Sequence, residues 1–161
     1  MEFSASMDKT AKLATIFIAV LFTVLIVISF TGRDTVAVTI ISVMLAAIFV
    51  GTFSFSVRRY SLTSDKIIIH RFIGNKILLR NSITSIEITD QKQLGFVWRT
   101  LGVGGLFGYF GYFYSRSGGN MMWFVTRQDR LVIFHKKDGD KILISPDDRD
   151  VFISEYNKLP S

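Results

Sequence analysis

Residues 13–31 read LATIFIAVLFTVLIVISFT and residues 36–53 read VAVTIISVMLAAIFVGTF, and neither stretch holds a charged side chain. Runs of 19 and 18 residues make helices of about 27–28 Å, close to the roughly 30 Å hydrocarbon core of a bilayer. Leu, Ile, Val and Phe occur all round both, so neither has the polar face of a surface helix. A signal-peptide core is usually about 7–15 residues and ends at a small-residue cleavage site. The first run is longer, leaves through Ser29-Phe30-Thr31-Gly32-Arg33, and a second run follows at once. The pattern predicts a two-helix transmembrane hairpin over residues 13–57, after a tail of residues 1–12. Gly32-Arg33-Asp34-Thr35 joins the helices, a connection short enough to force them antiparallel.

The spans contain no Asp, Glu, Lys, Arg or His, which argues against a pump or coupled transporter. Lys9 and Lys12 precede the first span and Arg58 and Arg59 follow the second, whereas the joint carries only Arg33 beside Asp34. The bias predicts both termini on the cytoplasmic side. The remaining residues, 58–161, have the length of one small domain, and they hold all of the net charge of +6. Cysteine is absent, so disulfides, thiol nucleophiles and cysteine metal sites are excluded.

Within this domain, Tyr60-Ser61-Leu62, residues 66–72, 76–79 and 83–89 read as four strands in meander order, divided by Thr63-Ser64-Asp65, Gly74-Asn75 and Asn81-Ser82. Three more follow at 121–126, 130–135 and 141–144, the last two joined across Asp138-Gly139, a hairpin signal. A terminal helix is announced by Ser145 as cap, Pro146 in the first turn and Asp147 and Asp148 at the positive end of the dipole. Phe152, Tyr156 and Leu159 at i, i+4 and i+7, with Val151, form its apolar face. Four strands, three strands and a helix is the order of a pleckstrin-homology (PH) superfold.

Two motifs carry a resemblance. Residues 99–111 read RTLGVGGLFGYFG, and residues 142–148 read ILISPDD at the start of the terminal helix. With them, residues 60–159 and the preceding anchor resemble the membrane-anchored bacterial PH-domain families. The resemblance implies an α+β protein: the transmembrane hairpin, then a seven-stranded antiparallel PH-like sheet or barrel closed by a C-terminal helix. It also implies residence in a bacterial inner (plasma) membrane, and self-association, since some bacterial PH domains form symmetric rings.

Residues 95–119 form a Gly/aromatic insert, with eight glycines and eight aromatic rings. Rossmann spacing fails, because the third glycine counted from Gly102 would fall on Phe107, and no Gly-Lys-Ser/Thr follows. Two readings stay open. The segment lies at the headgroup level of the membrane, flanked by Arg99 and Arg116, or its glycines allow close backbone approach while its aromatics fill the sheet core or a subunit interface.

The basic domain suits an anionic membrane surface, with Arg58, Arg59, Arg71, Arg99 and Arg116 as candidate headgroup contacts. Nucleic acid is the usual rival partner, but no helix-turn-helix, finger or RNP-like run is present. His70 and His135 lack triad neighbours, and the aspartates lack EF-hand spacing. No catalytic residue, metal site or cofactor is therefore expected. The reading is a non-enzymatic membrane protein acting as an interaction or self-assembly module, through Leu106, Phe107, Tyr109, Phe110, Tyr112 and Phe113. Its partners are the lipid bilayer and a second copy or another membrane protein. The alternative is a module binding anionic phospholipid headgroups.

Overall fold

The computed structural model describes residues 1–31 and 35–159. Gly32, Arg33 and Asp34 of the expected joint lie outside the described residues. Two long helices, α1 (Lys9–Thr31) and α2 (Thr35–Phe55), carry the apolar runs. An 18-residue window in each has a mean hydropathy of 2.7 or 2.5, and only 6% of that window is buried inside the protein, unlike the core helix of a soluble domain. Three of their hydroxyls bond within the helices: Thr15 donates to the Ala11 carbonyl (2.7 Å), Thr23 to Ala19 (2.9 Å) and Ser54 to Val50 (2.8 Å). Such internal pairing is what a medium without water demands.

The domain is two sheets and a helix. The first sheet has the order β1-β2-β3-β4, built from Glu2–Ser4, Val57–Leu62, Lys66–Arg71 and Lys76–Leu79. The expected tail therefore contributes a strand: β1 pairs antiparallel with β2, Phe3 opposite Tyr60. Because β1 precedes α1 and β2 follows α2, the two ends of the helical hairpin meet in one sheet.

The fourth expected strand, β5 (Ile83–Thr89), leaves the meander. A 3-10 turn at Arg80–Ser82 carries it into the second sheet, where it pairs with β9. That sheet has the order β5-β9-β10-β8-β7-β6, with β6 at Val97–Gly104, β7 at Tyr109–Ser115, β8 at Gly119–Val125, β9 at Leu131–Lys136 and β10 at Lys141–Ile144. A short helix, α3 (Gln91–Leu94), precedes β6.

The expected seven-stranded antiparallel sheet or barrel is thus corrected to ten strands among the described residues, in two open sheets, with one parallel pair, β8 with β10. The Asp138-Gly139 hairpin forms between β9 and β10 as predicted. However, β10 is inserted between β9 and β8. Its Ile142, Leu143 and Ile144 are all buried, the pattern of a strand covered on both faces.

Two cores result. One, between the sheets, gathers Tyr60, Ile67, Ile69, Phe124, Phe134 and Ile144 under α4 (Arg149–Lys158). The other lies on the far face of the second sheet and gathers Phe113, Trp123, Ile133 and Leu143 with Leu94 and with Ala11 from the foot of α1.

The start of α4 is also corrected. Asp148 stands at its cap position without a side-chain cap bond. The Ser145 hydroxyl instead accepts the Thr126 N–H (2.8 Å), and the Ser145 N–H donates to the Tyr60 hydroxyl (3.1 Å). Burial pushes the Tyr60 phenol up to about 12. Val151 is exposed, and Ile153 joins Phe152, Tyr156 and Leu159 on the covering face.

The Gly/aromatic segment is a β-hairpin rather than a loop. Gly102 and Gly111 face each other across it. A Cβ on Gly102 would collide with the Phe110 carbonyl, and one on Gly111 with the Leu101 carbonyl, so only glycine allows the two strands this approach.

Candidate membrane-surface site

The sequence after α2 turns from apolar to basic within three residues: Phe55, Ser56, Val57, Arg58, Arg59. Adjacent strand residues normally point to opposite faces. Here the β2–β3 register shifts between Val57 and Arg59, and both Arg58 and Arg59 are exposed. Such an irregularity re-aims side chains. Across the hairpin, Arg59 pairs with His70 and Val57 with Arg71. Arg58, Arg59, His70, Arg71 and Asn75 line a cavity of about 270 Å³, without a carboxylate among them.

Aromatic rings and the turn hold the arginines in place. The Arg58 guanidinium lies 4.2 Å from the centre of the Phe72 ring, and Arg71 lies 5.6 Å from Phe55 and 5.5 Å from Phe124. Arg71 also donates through Nη2 to the Gly74 carbonyl, while its Nε meets no acceptor. Burial lowers the Arg71 pKa, a penalty on the cation that an anion would offset. Arg59 is paired with Glu2 at 3.2 Å, an exposed pair worth little. His70 shares a 2.7 Å hydrogen bond with Ser61.

The cavity sits at the end of α2. The turn after β3 is fastened there: the Ile73 N–H donates to the Ser54 carbonyl (3.0 Å), and Phe53 packs on Phe72 at 4.5 Å between ring centres.

The other predicted contacts lie elsewhere. Arg99 lines a second cavity of about 320 Å³ with Gln91, Tyr109, Phe113, Trp123 and Gln128. Arg116 is exposed in the β7–β8 connection, at the end of the β6–β7 hairpin opposite its tip. Of the predicted interaction residues, Tyr109, Phe110 and Phe113 are buried in the domain, and Leu106 and Phe107 are half-buried; Tyr112 is exposed. Arg80, another cation of this region, is buried and donates to the Ser64 and Tyr156 carbonyls. His70 and Asn75 were not among the predicted contacts. The signal for His70 was the hairpin register, since the turn at Thr63-Ser64-Asp65 sets it opposite Arg59. Among the described residues, no group of three His, Asp or Glu is placed to hold a metal ion.

A family model described as "Bacterial PH domain" matches residues 58–159. The chain belongs to the bacterial PH domain family. The matched PH domain begins at Arg58, the first lining residue of the cavity, and ends at Leu159, at the close of α4. No curated protein and no solved structure matches the chain. The family and the two apolar helices together describe a PH domain carried behind an element suited to a membrane.

Proposed function

We propose that the protein is a non-enzymatic module of a bacterial plasma membrane, with both termini and the PH domain cytoplasmic, that holds an anionic phospholipid headgroup at Arg58, Arg59, His70, Arg71 and Asn75. The carrying observation is a basic cavity, lined by no carboxylate, at the level where the apolar run of α2 stops. A headgroup phosphate lies at that level, and basic residues near an anionic surface contribute about 1 kcal/mol each. Lys9, Lys12, Arg58 and Arg59 on the domain side support the cytoplasmic placement.

The test is native mass spectrometry of the full chain, released from detergent containing equal amounts of phosphatidylglycerol and phosphatidylcholine. The wild type should retain the anionic lipid preferentially. Combined Arg58→Glu and Arg71→Glu should reduce that preference by roughly tenfold, and Arg116→Glu should leave it intact. Equal retention of both lipids by the wild type sinks the reading.

A second reading, self-association, draws on the outer face of the β6–β7 hairpin. Trp98, Leu101, Tyr112 and Tyr114 are 46–70% exposed there, on an edge strand and its neighbour. This face, rather than Tyr109, Phe110 and Phe113, would meet a second copy. The same spectra read it: a multimer that Trp98→Ser reduces to monomer supports it, and a monomeric wild type removes it.

A further inference from the structure

Phe107 is the one non-glycine residue with positive φ (57°) among those described. It sits between Gly105 and Gly108, where the chain could have used a third glycine. A bulky residue in the left-handed region is an outlier that persists only when its surroundings demand it. Those surroundings are the membrane helices. The Phe107 ring packs edge-on against Phe49 (4.8 Å) and Phe53 (5.2 Å) of α2. Its N–H donates to the Thr15 hydroxyl of α1 (3.0 Å). Gly105 comes so close to α1 that a Cβ there would lie 3.8 Å from that of Ala14.

These contacts fix a level. Thr15 is six residues into α1, and Phe49 and Phe53 are six and two residues from the end of α2. At 1.5 Å per residue the turn therefore sits about 3–9 Å inside the helical span. The 20-residue apolar spans begin at Lys9 in α1 and end at Phe55 in α2, so this level is at or just inside the hydrocarbon boundary of a core roughly 30 Å thick. The backbone suits that place. Gly105 N–H closes on the Gly108 carbonyl (2.8 Å) and Phe107 N–H on Thr15, groups that would otherwise be left without water to bond.

We infer that the β6–β7 turn, Gly105 to Gly108, is a third membrane-contacting element, seated at the boundary of headgroups and acyl chains beside the feet of α1 and α2, with Leu106 in contact with lipid. The inference rests on the reading of α1 and α2 as spans. It goes beyond headgroup binding because its partner is the apolar edge of the bilayer and its residues are not those of the basic cavity. The occupant is lipid because the turn is continuous with two helices whose apolar surfaces are themselves uncovered by protein.

The absence of cysteine makes the test direct. Leu106→Cys, Leu21→Cys and Leu101→Cys are each introduced into the full chain, labelled with nitrobenzoxadiazole and placed in nanodiscs of phosphatidylcholine and phosphatidylglycerol. Quenching by shallow and deep spin-labelled lipids is compared with quenching by aqueous iodide. Leu21, mid-span, should be quenched by deep spin labels. Leu101, four residues up the strand from the turn, should be open to iodide. Leu106 should be quenched by shallow spin labels and several-fold less by iodide than Leu101. The unlabelled Leu106→Cys thiol, a smaller change, should react several-fold more slowly than Leu101→Cys with a charged maleimide. A Leu106 probe that behaves like Leu101 overturns the inference while the spans stand. A Leu21 probe untouched by spin-labelled lipid overturns the spans and the inference together.

Discussion

The two faces of the second sheet are covered by different parts of the chain. On one face, α4 and the first sheet enclose Phe124, Phe134, Ile142 and Ile144, with Phe152 at the centre, and all five of these residues fall within 58–159. On the other, Trp123, Leu131, Ile133 and Leu143 are covered by Leu94 of α3, by Met7 and by Ala11 at the foot of α1. Ala11 and Met7 lie outside the matched PH domain. The same foot is fastened by polar groups. The Asp8 N–H donates to the Thr126 carbonyl (3.1 Å), and the Asp8 carboxylate receives the N–H groups of Ala11 (2.7 Å) and Gln128 (3.3 Å). The anchor is therefore not a tether hung from a finished domain. Its first turns are one wall of the domain's second core, so the angle at which the PH domain meets the helices is set by packing. The same packing fixes where the basic cavity and the β6–β7 turn stand along the two helices.

Phe152→Ala attacks the first face. Its ring is fully buried, edge-on to Phe3 at 5.0 Å and to Phe134 at 6.3 Å. The expected loss is about 3–5 kcal/mol in denaturant unfolding of the full chain in detergent. A loss below about 1 kcal/mol would mean that α4 does not seal this core.

Ala11→Leu attacks the second face by overfilling it. It should destabilise the chain by about 1–3 kcal/mol. Val20→Leu on the exposed flank of the same helix should change stability by less than about 0.5 kcal/mol. Equal effects from the two would put the foot of α1 outside the core.

The smallest effect sharpens the comparison through pH. Asp147 receives the Ser6 N–H and hydroxyl and the Arg127 guanidinium, tying the segment before α1 to the start of α4. Burial works against its ionisation, but the hydrogen bonds from Ser6 and Arg127 and the charge of Arg127 outweigh it, so its pKa is lowered. A lowered carboxylate stabilises the fold above its unfolded value, near about 3.9, and that stability is lost as pH falls through the folded value. The protection of the Ser6 amide, measured against its intrinsic exchange rate, should therefore fall below about pH 4. Exchange at Thr126, whose acceptor is the Ser145 hydroxyl, should not follow it. Unchanged protection at Ser6 across that window would show that the Asp147 clamp does not hold the segment.

What the chain disclosed beforehand follows from the range of the forces involved. The two apolar helices were legible because an unbroken apolar run is a local property. β4, β5 and β10 were legible to the residue, and the β9–β10 turn was read from Asp138-Gly139, since alternation and turn chemistry are also local. The cation-rich β2–β3 hairpin could be listed, but not its convergence. Arg58 and Arg59 share a surface only because the pairing slips between Val57 and Arg59, a matter of two strands rather than one. The Gly/aromatic hairpin escaped as strands because glycine is a poor strand former taken alone; its glycines are needed at a pair, Gly102 against Gly111.

By itself, the sequence determined that this protein has a two-helix apolar hairpin, a sheet-rich basic domain and a terminal helix, because hydrophobic period and turn residues act over a few residues. The tertiary structure alone decided that residues 2–4 close the first sheet, that β5 changes sheets, that β10 enters between β9 and β8, and that Phe107 reaches the helices. Each of these depends on which distant surfaces bury one another, and a residue's type shows that it will be buried without showing against what.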